Sequence, residues 1–185
     1  MNKKLKFTLI STWIIFSRSF DAYCTNQLTP DLSKESNPLV SVFGMGWTPL
    51  IIVIGLLSLY AIYTFYNSVF KPLDLLPKEK GYTEGNILAY AYLGEKEHWT
   101  SVLYKFPKSL SRFNHFMGQT LSICLCYAGA VSTLMWLLIR NVDAYKSIHS
   151  PLLVYSVLIL GCLALIYQWN HKRYQEYMNL VYQKI

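Results

Sequence analysis

The stretch WTPLIIVIGLLSLYAIYTFYNSVF, residues 47–70, contains no charged side chain. A helix needs about 20 consecutive apolar residues to cross the hydrocarbon core of a bilayer. A helix of a soluble protein would instead carry its apolar residues on one face, with a period near 3.6 residues. The segment therefore predicts a transmembrane helix, and this prediction sets the class of the whole chain.

Three further segments have a similar apolar character, at residues 5–25, 117–139 and 151–169. Hydrophobic residues make up 53% of the 185 residues and charged residues only 15%, against roughly 25% charged in an average soluble domain. We therefore expect an all-α fold, a single membrane domain over residues 1–185 built as an integral bundle of four transmembrane helices. Residues 71–116 then form a long loop between the second and third spans.

The basic residues predict how this bundle is oriented. Lys and Arg are enriched in cytoplasmic loops. All of the 17 basic residues but four fall in the N-terminal tail, in residues 71–116 or after residue 169, and the exceptions are Arg18, Lys34, Arg140 and Lys146. We therefore expect a multi-pass protein of a plasma (inner) membrane, with both termini in the cytoplasm and the lipid bilayer as its first partner.

The first apolar segment has an alternative interpretation as a secretory signal peptide. Its start is basic, and a short apolar core at residues 7–16 follows, as in signal peptides. A retained helix is favoured, because Ser-Phe-Asp-Ala at residues 19–22 does not supply the small residues that a cleavage site needs. Cleavage after Ala22 would divide the polar residues of the first two segments.

The long loop carries two stretches that predict short amphipathic helices resting on the inner membrane surface. The first stretch is residues 86–92 and the second is residues 98–106. In the second stretch an apolar face is formed at i, i+3, i+4 and i+7, by Trp99, Val102, Leu103 and Phe106. Pro107 is expected to end that helix.

Arg18, Asp21 and Thr25 form a polar stripe in the first span. Spacings of three and four residues place them on one helical face, where Arg18 and Asp21 can pair. Charges at membrane depth are costly, so they are by default a functional-site hypothesis. One interpretation is a polar cavity open to the outer side, in which Arg18 binds an anionic headgroup or carboxylate. The other is a structural clamp that fixes helix packing.

A second polar group, Glu35-Ser36-Asn37-Pro38, stands before the second span. Asn is a favoured helix N-cap and Pro a favoured first helical residue, so we expect a short outer helix or re-entrant piece over residues 38–46. Glu35 has no part in that cap and is expected to be free to fold back to Arg18. The alternative is a cap with a solvated acid beside it.

The spaced motif Asp21-x3-Thr25 followed by Glu35-x-Asn37-Pro38 resembles a pattern at the start of small polytopic membrane proteins of unknown function in bacteria and archaea. The resemblance covers about a tenth of the chain. It implies a small multi-helix membrane fold in a prokaryotic membrane, with no established activity and no catalytic role to assign to any residue.

Two weaker features lie in or near the third span. His115 and Gln119 are four residues apart at its entry; they predict either a proton-linked site or a polar helix start at the interface. A patch of small residues predicts a close packing seam, and it consists of Ala128, Gly129, Ala130, Ser132 and Thr133. No metal site is expected, because no Cys or His spacing typical of metal ligands occurs.

These patterns together predict the broad class of function. We expect a non-enzymatic membrane protein that is either a subunit of a membrane complex or a component that binds a lipid or a small anion. Its protein partners would be other membrane subunits or further copies of itself in a homo-oligomer. Its outer polar cluster would consist of Arg18, Asp21, Thr25, Glu35 and Asn37. The competing hypothesis is a membrane-embedded enzyme or transporter using the same residues. No cofactor and no nucleic acid partner are expected, since the sequence shows no nucleic-acid-binding module.

Overall fold

The computed structural model describes residues 2–33 and 35–182, and over these residues the chain is all-helical with no strand. Its helices are α1 (Lys3–Leu28), α2 (Pro38–Ser41), α3 (Trp47–Phe70), α4 (Glu84–Leu93), α5 (Leu110–Asn141), α6 (Asp143–Ile148) and α7 (Pro151–Tyr182). A single 3-10 turn, Trp99–Leu103, lies between α4 and α5. The all-α class expected from the sequence is confirmed.

Three of the described helices, α3, α5 and α7, are long and apolar enough to cross a membrane. The bounds of α3 are those that the sequence predicts. The helices α5 and α7 have 32 residues each, a length of about 48 Å, and they therefore extend well past a hydrocarbon core of about 30 Å. In particular, α7 does not end at Trp169 but continues as one helix to Tyr182.

The helix α1 belongs to the same bundle but differs in composition. Its 26 residues give about 39 Å, enough to span a bilayer. Lysines at its start and the Arg18 and Asp21 charges inside it lower its hydropathy below that of the other three. It packs against α3 and α5, and Phe7 stacks on Phe65 with ring centroids 5.9 Å apart.

The helix α5 lies at the centre of the bundle and contacts α1, α3, α4 and α7. A Cβ added at Gly118 would lie 2.1 Å from the carbonyl oxygen of Thr64 in α3, and one added at Gly129 would lie 2.4 Å from Ser17 Oγ in α1. Small residues at such crossings let helix backbones approach closely. The packing seam predicted around Gly129 is therefore confirmed.

The bundle has two ends of different character. The start of α1, residues 71–109 and the last turns of α7 lie at one end, which we call the basic end. There Trp169 of α7 packs edge-on against Phe116 of α5. The opposite end, called the distal end, carries residues 29–33 and 35–46, α6 and the start of α7, and Tyr155 donates a hydrogen bond to the Ser36 carbonyl there at 3.2 Å.

At the basic end, the structure has a helix, α4, at the first of the two stretches predicted to be loop helices, whereas the prediction of a helix at the second is wrong. A capping box between Thr83 and Asn86 starts α4. Residues 98–106 form only the short 3-10 turn, with Leu103 78% and Phe106 92% exposed. A salt bridge between Lys105 and Glu97, at 2.5 Å, closes this segment into a turn, so the apolar positions do not share one helical face.

Candidate functional site

The five polar residues predicted to form a cluster line the same space at the distal end. They are Arg18, Asp21, Thr25, Glu35 and Asn37, and each of them lines two adjoining cavities. The first cavity, of about 470 Å³, is bounded by α1, α3 and α5. The second, of about 340 Å³, is bounded by α1, α5 and α7. The cluster therefore stands between the two cavities, at the base of the loop that joins α1 to α3.

Asp21 is held by α5 and not by its own helix. Its Oδ1 accepts a hydrogen bond from the Ser132 hydroxyl and another from Trp136 Nε1, the latter at 2.7 Å. Ser132 and Trp136 are four residues apart and so share one face of α5. The carboxylate thereby links α1 to the central helix. The predicted Arg18–Asp21 pair is wrong, because among the described residues Arg18 forms no ion pair with Asp21 and the carboxylate faces these two donors.

Arg18 has an unusual environment for a cation. Its Nε and Nη2 atoms are buried, and they have no hydrogen-bond partner among the described residues. A guanidinium carries five N–H donors and no acceptor, so these buried donors remain unsatisfied within residues 2–33 and 35–182. Neither of the two acidic residues lining the same space, Asp21 and Glu35, forms an ion pair with Arg18 in the part of the chain that the structure describes.

Asn37 has the capping role that the sequence predicts. Its side-chain oxygen accepts from the Leu39 amide at 3.0 Å, and Pro38 is the first residue of α2. The helix it begins is shorter than the predicted piece over residues 38–46, since α2 ends at Ser41. The chain turns away at Gly44, whose φ of +64° is a left-handed conformation that glycine adopts without strain.

Glu35 also differs from its prediction. Its Oε1 accepts a hydrogen bond from the Asn37 amide at 2.9 Å, so the side chain helps to form the turn before α2. The expectation that Glu35 has no role at this cap is therefore wrong, and its carboxylate does not fold back into an ion pair with Arg18. The acid remains at the wall of both cavities and contributes negative charge there.

The loop over the cluster is fastened to the bundle by two aromatic side chains that the sequence did not single out for the site. Trp47 Nε1 donates to the Pro30 carbonyl at 2.7 Å, and Tyr155 donates to Ser36. Thr25 lies beneath this loop and is 6% exposed. The polar cluster therefore lies under a covering segment that is fastened at two points.

The walls of the larger cavity are mainly apolar. Away from the polar cluster they are formed by side chains of α3 and α5, which include Leu50, Ile51, Ile54, Leu57, Leu121 and Leu125. Ser58 and Tyr60 add hydroxyl groups, and the Tyr60 hydroxyl donates to Asn114 at 3.0 Å. A charged head region thus continues directly into a hydrocarbon-like region.

The secondary candidates His115 and Gln119 lie at the basic end and do not join the cluster. His115 is 6% exposed, and its two ring nitrogens contact the backbone carbonyls of Ser111 and Lys71. Gln119 accepts a hydrogen bond from Trp169 Nε1 at 3.2 Å. Both residues therefore fasten α5 to neighbouring segments. Within residues 2–33 and 35–182, no three His, Cys, Asp or Glu side chains come together as a metal-binding group.

Sequence reasoning missed Trp136 as a partner of the site, and it placed Ser132 only in a packing seam. The small-residue patch was the one available signal, because a hydroxyl on the face that packs against α1 can also reach a polar residue of α1.

Comparison with models of known protein families, with curated proteins and with solved structures gave no match.

Proposed function

We propose that the chain is an integral membrane protein with four spans that binds the anionic head of a lipid, or a similar small anion, at the distal end without transforming it. The spans would be α1, α3, α5 and α7, with α1 as the least apolar. The length of α1 and its packing between α3 and α5 support this count. The positive-inside rule supports a cytoplasmic position for the basic end and both termini, in a plasma (inner) membrane.

The two buried donors of the Arg18 guanidinium, Nε and Nη2, carry this proposal. Burying N–H donors without partners is unfavourable by about 1–3 kcal/mol for each group, and more for charged groups. A phosphate or carboxylate would satisfy Nε and Nη2 together, since the planar guanidinium fork matches such anions in a two-bond geometry. The Asp21 carboxylate does not compete for this position, because Ser132 and Trp136 already bind it.

The apolar cavity favours an amphiphile over a free anion. Its volume of about 470 Å³ lies within the range of about 300–1,000 Å³ that is typical of small-ligand pockets. The anionic head would lie at Arg18, and an acyl chain would lie along Leu121 and Leu125 towards the middle of the bundle. Asp21 and Glu35 would disfavour a highly charged head, so a singly charged group fits best.

The test is native mass spectrometry of protein extracted gently from membranes. We expect the wild type to retain an anionic amphiphile at this distal site and Arg18→Gln to lose that adduct. Arg140→Gln is the matched control, because Arg140 lies at the same end, is exposed and lines neither cavity. Ala22→Leu is a second variant, since a larger side chain at the cavity wall should exclude the chain while keeping Arg18.

Three results would contradict the proposal. Equal lipid retention by Arg18→Gln and Arg140→Gln would remove Arg18 from the binding site. Conversion of the bound lipid over time, or its transfer across a bilayer, would favour the competing hypothesis of an enzyme or transporter. Co-purification with another membrane protein in a fixed ratio and without lipid would favour a subunit of a complex.

A further inference from the structure

A separate cavity at the basic end lies among all four long helices. Its volume is about 530 Å³, and its lining comes from α1, α3, α5 and α7 together with Pro72. Four cations line it, namely Lys3 and Lys6 of α1 and Lys172 and Arg173 of α7. None of the described residues that line it is acidic. This concentration of positive charge distinguishes it from the distal cavities, where Asp21 and Glu35 stand beside Arg18.

The charges of this cavity are not balanced within the described chain. Arg173 Nη1 pairs with Glu176 at 2.7 Å, but Arg173 Nε is buried and has no hydrogen-bond partner in the part of the chain that the structure describes. Lys3, Lys6 and Lys172 form no ion pair among the described residues, and all three are exposed. Like charges around one space repel each other, so a bound anion would stabilise the arrangement.

The position of Arg173 is fixed by its neighbours. Its guanidinium lies over the Trp169 ring at 5.9 Å from the ring centroid, and Trp169 Nε1 is bound to Gln119. The Glu176 bond uses only one edge of the guanidinium. The guanidinium is therefore held in place at the cavity wall, and its Nε donor has no hydrogen-bond partner among the described residues.

Most of the remaining lining is apolar and comes from Ile10, Phe65, Val69, Ile123 and Leu165 together with Pro72 and Trp169. Ser68, Gln119, Ser122 and Gln168 add polar groups. Cations at the rim and hydrocarbon below match an amphiphile whose phosphate lies at the level of the helix ends. Basic pockets between membrane helices are typical sites for anionic lipid headgroups.

We propose that this basic cavity binds one anionic phospholipid of the leaflet at the basic end. Its phosphate is bound by Arg173 Nε and the ammonium groups of Lys3, Lys6 and Lys172, and an acyl chain packs along Ile10 and Leu165. The site is independent of the distal cluster, because no residue lines both cavities. Binding would fasten the start of α1 to the end of α7, two segments from opposite ends of the sequence.

The test compares two triple variants of equal charge. Lys3→Gln/Lys6→Gln/Lys172→Gln removes three exposed cations of the cavity, while Lys4→Gln/Lys71→Gln/Lys78→Gln removes three exposed cations of the same end that do not line it. Each protein is equilibrated with mixed micelles of phosphatidylcholine and phosphatidylglycerol, and retained lipid is measured by native mass spectrometry. All substitutions are at exposed positions, so both variants should keep the wild-type fold.

We expect the cavity variant to bind phosphatidylglycerol on the order of 100-fold more weakly, since each cation near an anionic headgroup contributes roughly fivefold. The control variant should retain it. Equal losses in both variants would mean a general surface attraction and would overturn the proposal. Binding of inorganic phosphate alone with the same strength would overturn the assignment to a lipid.

A final pair of measurements separates this site from the distal one. Arg18→Gln should leave the adduct that depends on Lys172 in place, and the cavity variant should leave the adduct that depends on Arg18. Loss of both adducts in Arg18→Gln, or loss of both in the cavity variant, would contradict the proposal that the two sites are independent. If the wild-type protein shows only one of the two adducts, the proposal for the missing one is rejected and the other is kept.

Discussion

Asp21 accepts a hydrogen bond from Trp136 Nε1 at 2.7 Å, and this bond joins α1 to α5 across 115 positions of the chain. Ser132 donates to the same carboxylate oxygen from the preceding turn of α5. The bond fixes the rotation of α1 about its own axis. Because Arg18 and Thr25 lie on the same helical face as Asp21, it also fixes the direction in which they face. With Asp21 held at the wall, Arg18 lines the cavities, and its Nε and Nη2 atoms have no hydrogen-bond partner among the described residues.

Replacing Asp21 tests whether its acceptor role stabilises the bundle. We expect Asp21→Ala to lower the free energy of unfolding by about 1–2 kcal/mol, because Ser132 and Trp136 lose their acceptor. Asp21→Asn should cost less, since the amide keeps one oxygen. Thermal unfolding in detergent measures both, and combining Asp21→Ala with Trp136→Phe should give less than the sum of the single effects. Additive losses would mean that the bond is not part of the native packing.

The helix α3 and the contact of Asp21 show how far the sequence predicts this structure. A long run of residues without charge can cross a bilayer only as a helix, because a helix satisfies its own backbone hydrogen bonds. Trp47–Phe70 forms the helix that its composition predicts. The partner of Asp21 was not predictable, because local spacing offers only Arg18 whereas the actual donors come from a distant helix. Side-chain pairing across helices depends on their relative rotation, which a single sequence does not specify.

The distal loop shows the same division between local and distant information. The Asn37 cap and Pro38 were predictable, since both act on neighbouring backbone groups. The membership of the five cluster residues in one site stood only as a prediction, and the structure brings all five to the same pair of cavities. The contact of Glu35 with the Asn37 amide was missed. An acidic side chain two residues before a cap can bind the backbone or remain in solvent, and the sequence does not distinguish these two outcomes.

The close crossing of α3 and α5 predicts a strong effect of one methyl group. Gly118→Ala places a Cβ 2.1 Å from the Thr64 carbonyl oxygen, and backbone atoms cannot move aside as a flexible side chain can. We expect a loss of about 1–3 kcal/mol in unfolding free energy. Gly55→Ala is the matched control in α3, where a Cβ meets nothing within 4 Å, and it should be neutral or slightly stabilising. Equal melting temperatures for the two variants would contradict the crossing.

The turn between α4 and α5 should depend on pH through Glu97. Hydrogen bonds from Lys105 and then Ser101 lower the pKa of Glu97 below its ordinary value of 4.5, and the bond to Glu97 raises the pKa of Lys105 above 10.5. The acid therefore adds stability above its unfolded pKa that is lost as pH falls through the folded pKa. The amine adds stability below 10.5 that is lost as pH rises through the raised pKa.

Amide hydrogen exchange measures this dependence at Lys105, whose amide donates to the Ser101 carbonyl at 2.9 Å. We expect a constant protection factor at neutral pH and a decrease only once the pH falls below 4.5. Glu97→Gln should lower protection at neutral pH and remove the decrease in acid. Wild-type protection that stays unchanged through the acidic range would show that the ion pair does not hold the turn.

The hydrogen bonds of Tyr177 indicate how the long loop is held to the end of α7. The side chain is 0% exposed; its hydroxyl donates to the Glu79 carbonyl at 2.9 Å and accepts from the Tyr82 amide at 3.2 Å. Tyr177→Phe removes both bonds and leaves the buried Tyr82 amide without this partner, at a cost of about 1–3 kcal/mol. The local opening of the loop should then become roughly fivefold or more frequent.

Tyr182 provides the matched control for this prediction. Its hydroxyl accepts from the Gly81 amide at 3.2 Å, but the residue is 40% exposed, so water can replace that bond. Trypsin cleavage after the exposed Lys78 and Lys80 measures the opening of the loop. We expect Tyr177→Phe to accelerate this cleavage and Tyr182→Phe to change it little. Equal rates in the two variants would mean that the loop is held by the packing of α4 against α5 and α7, and not by the buried hydroxyl.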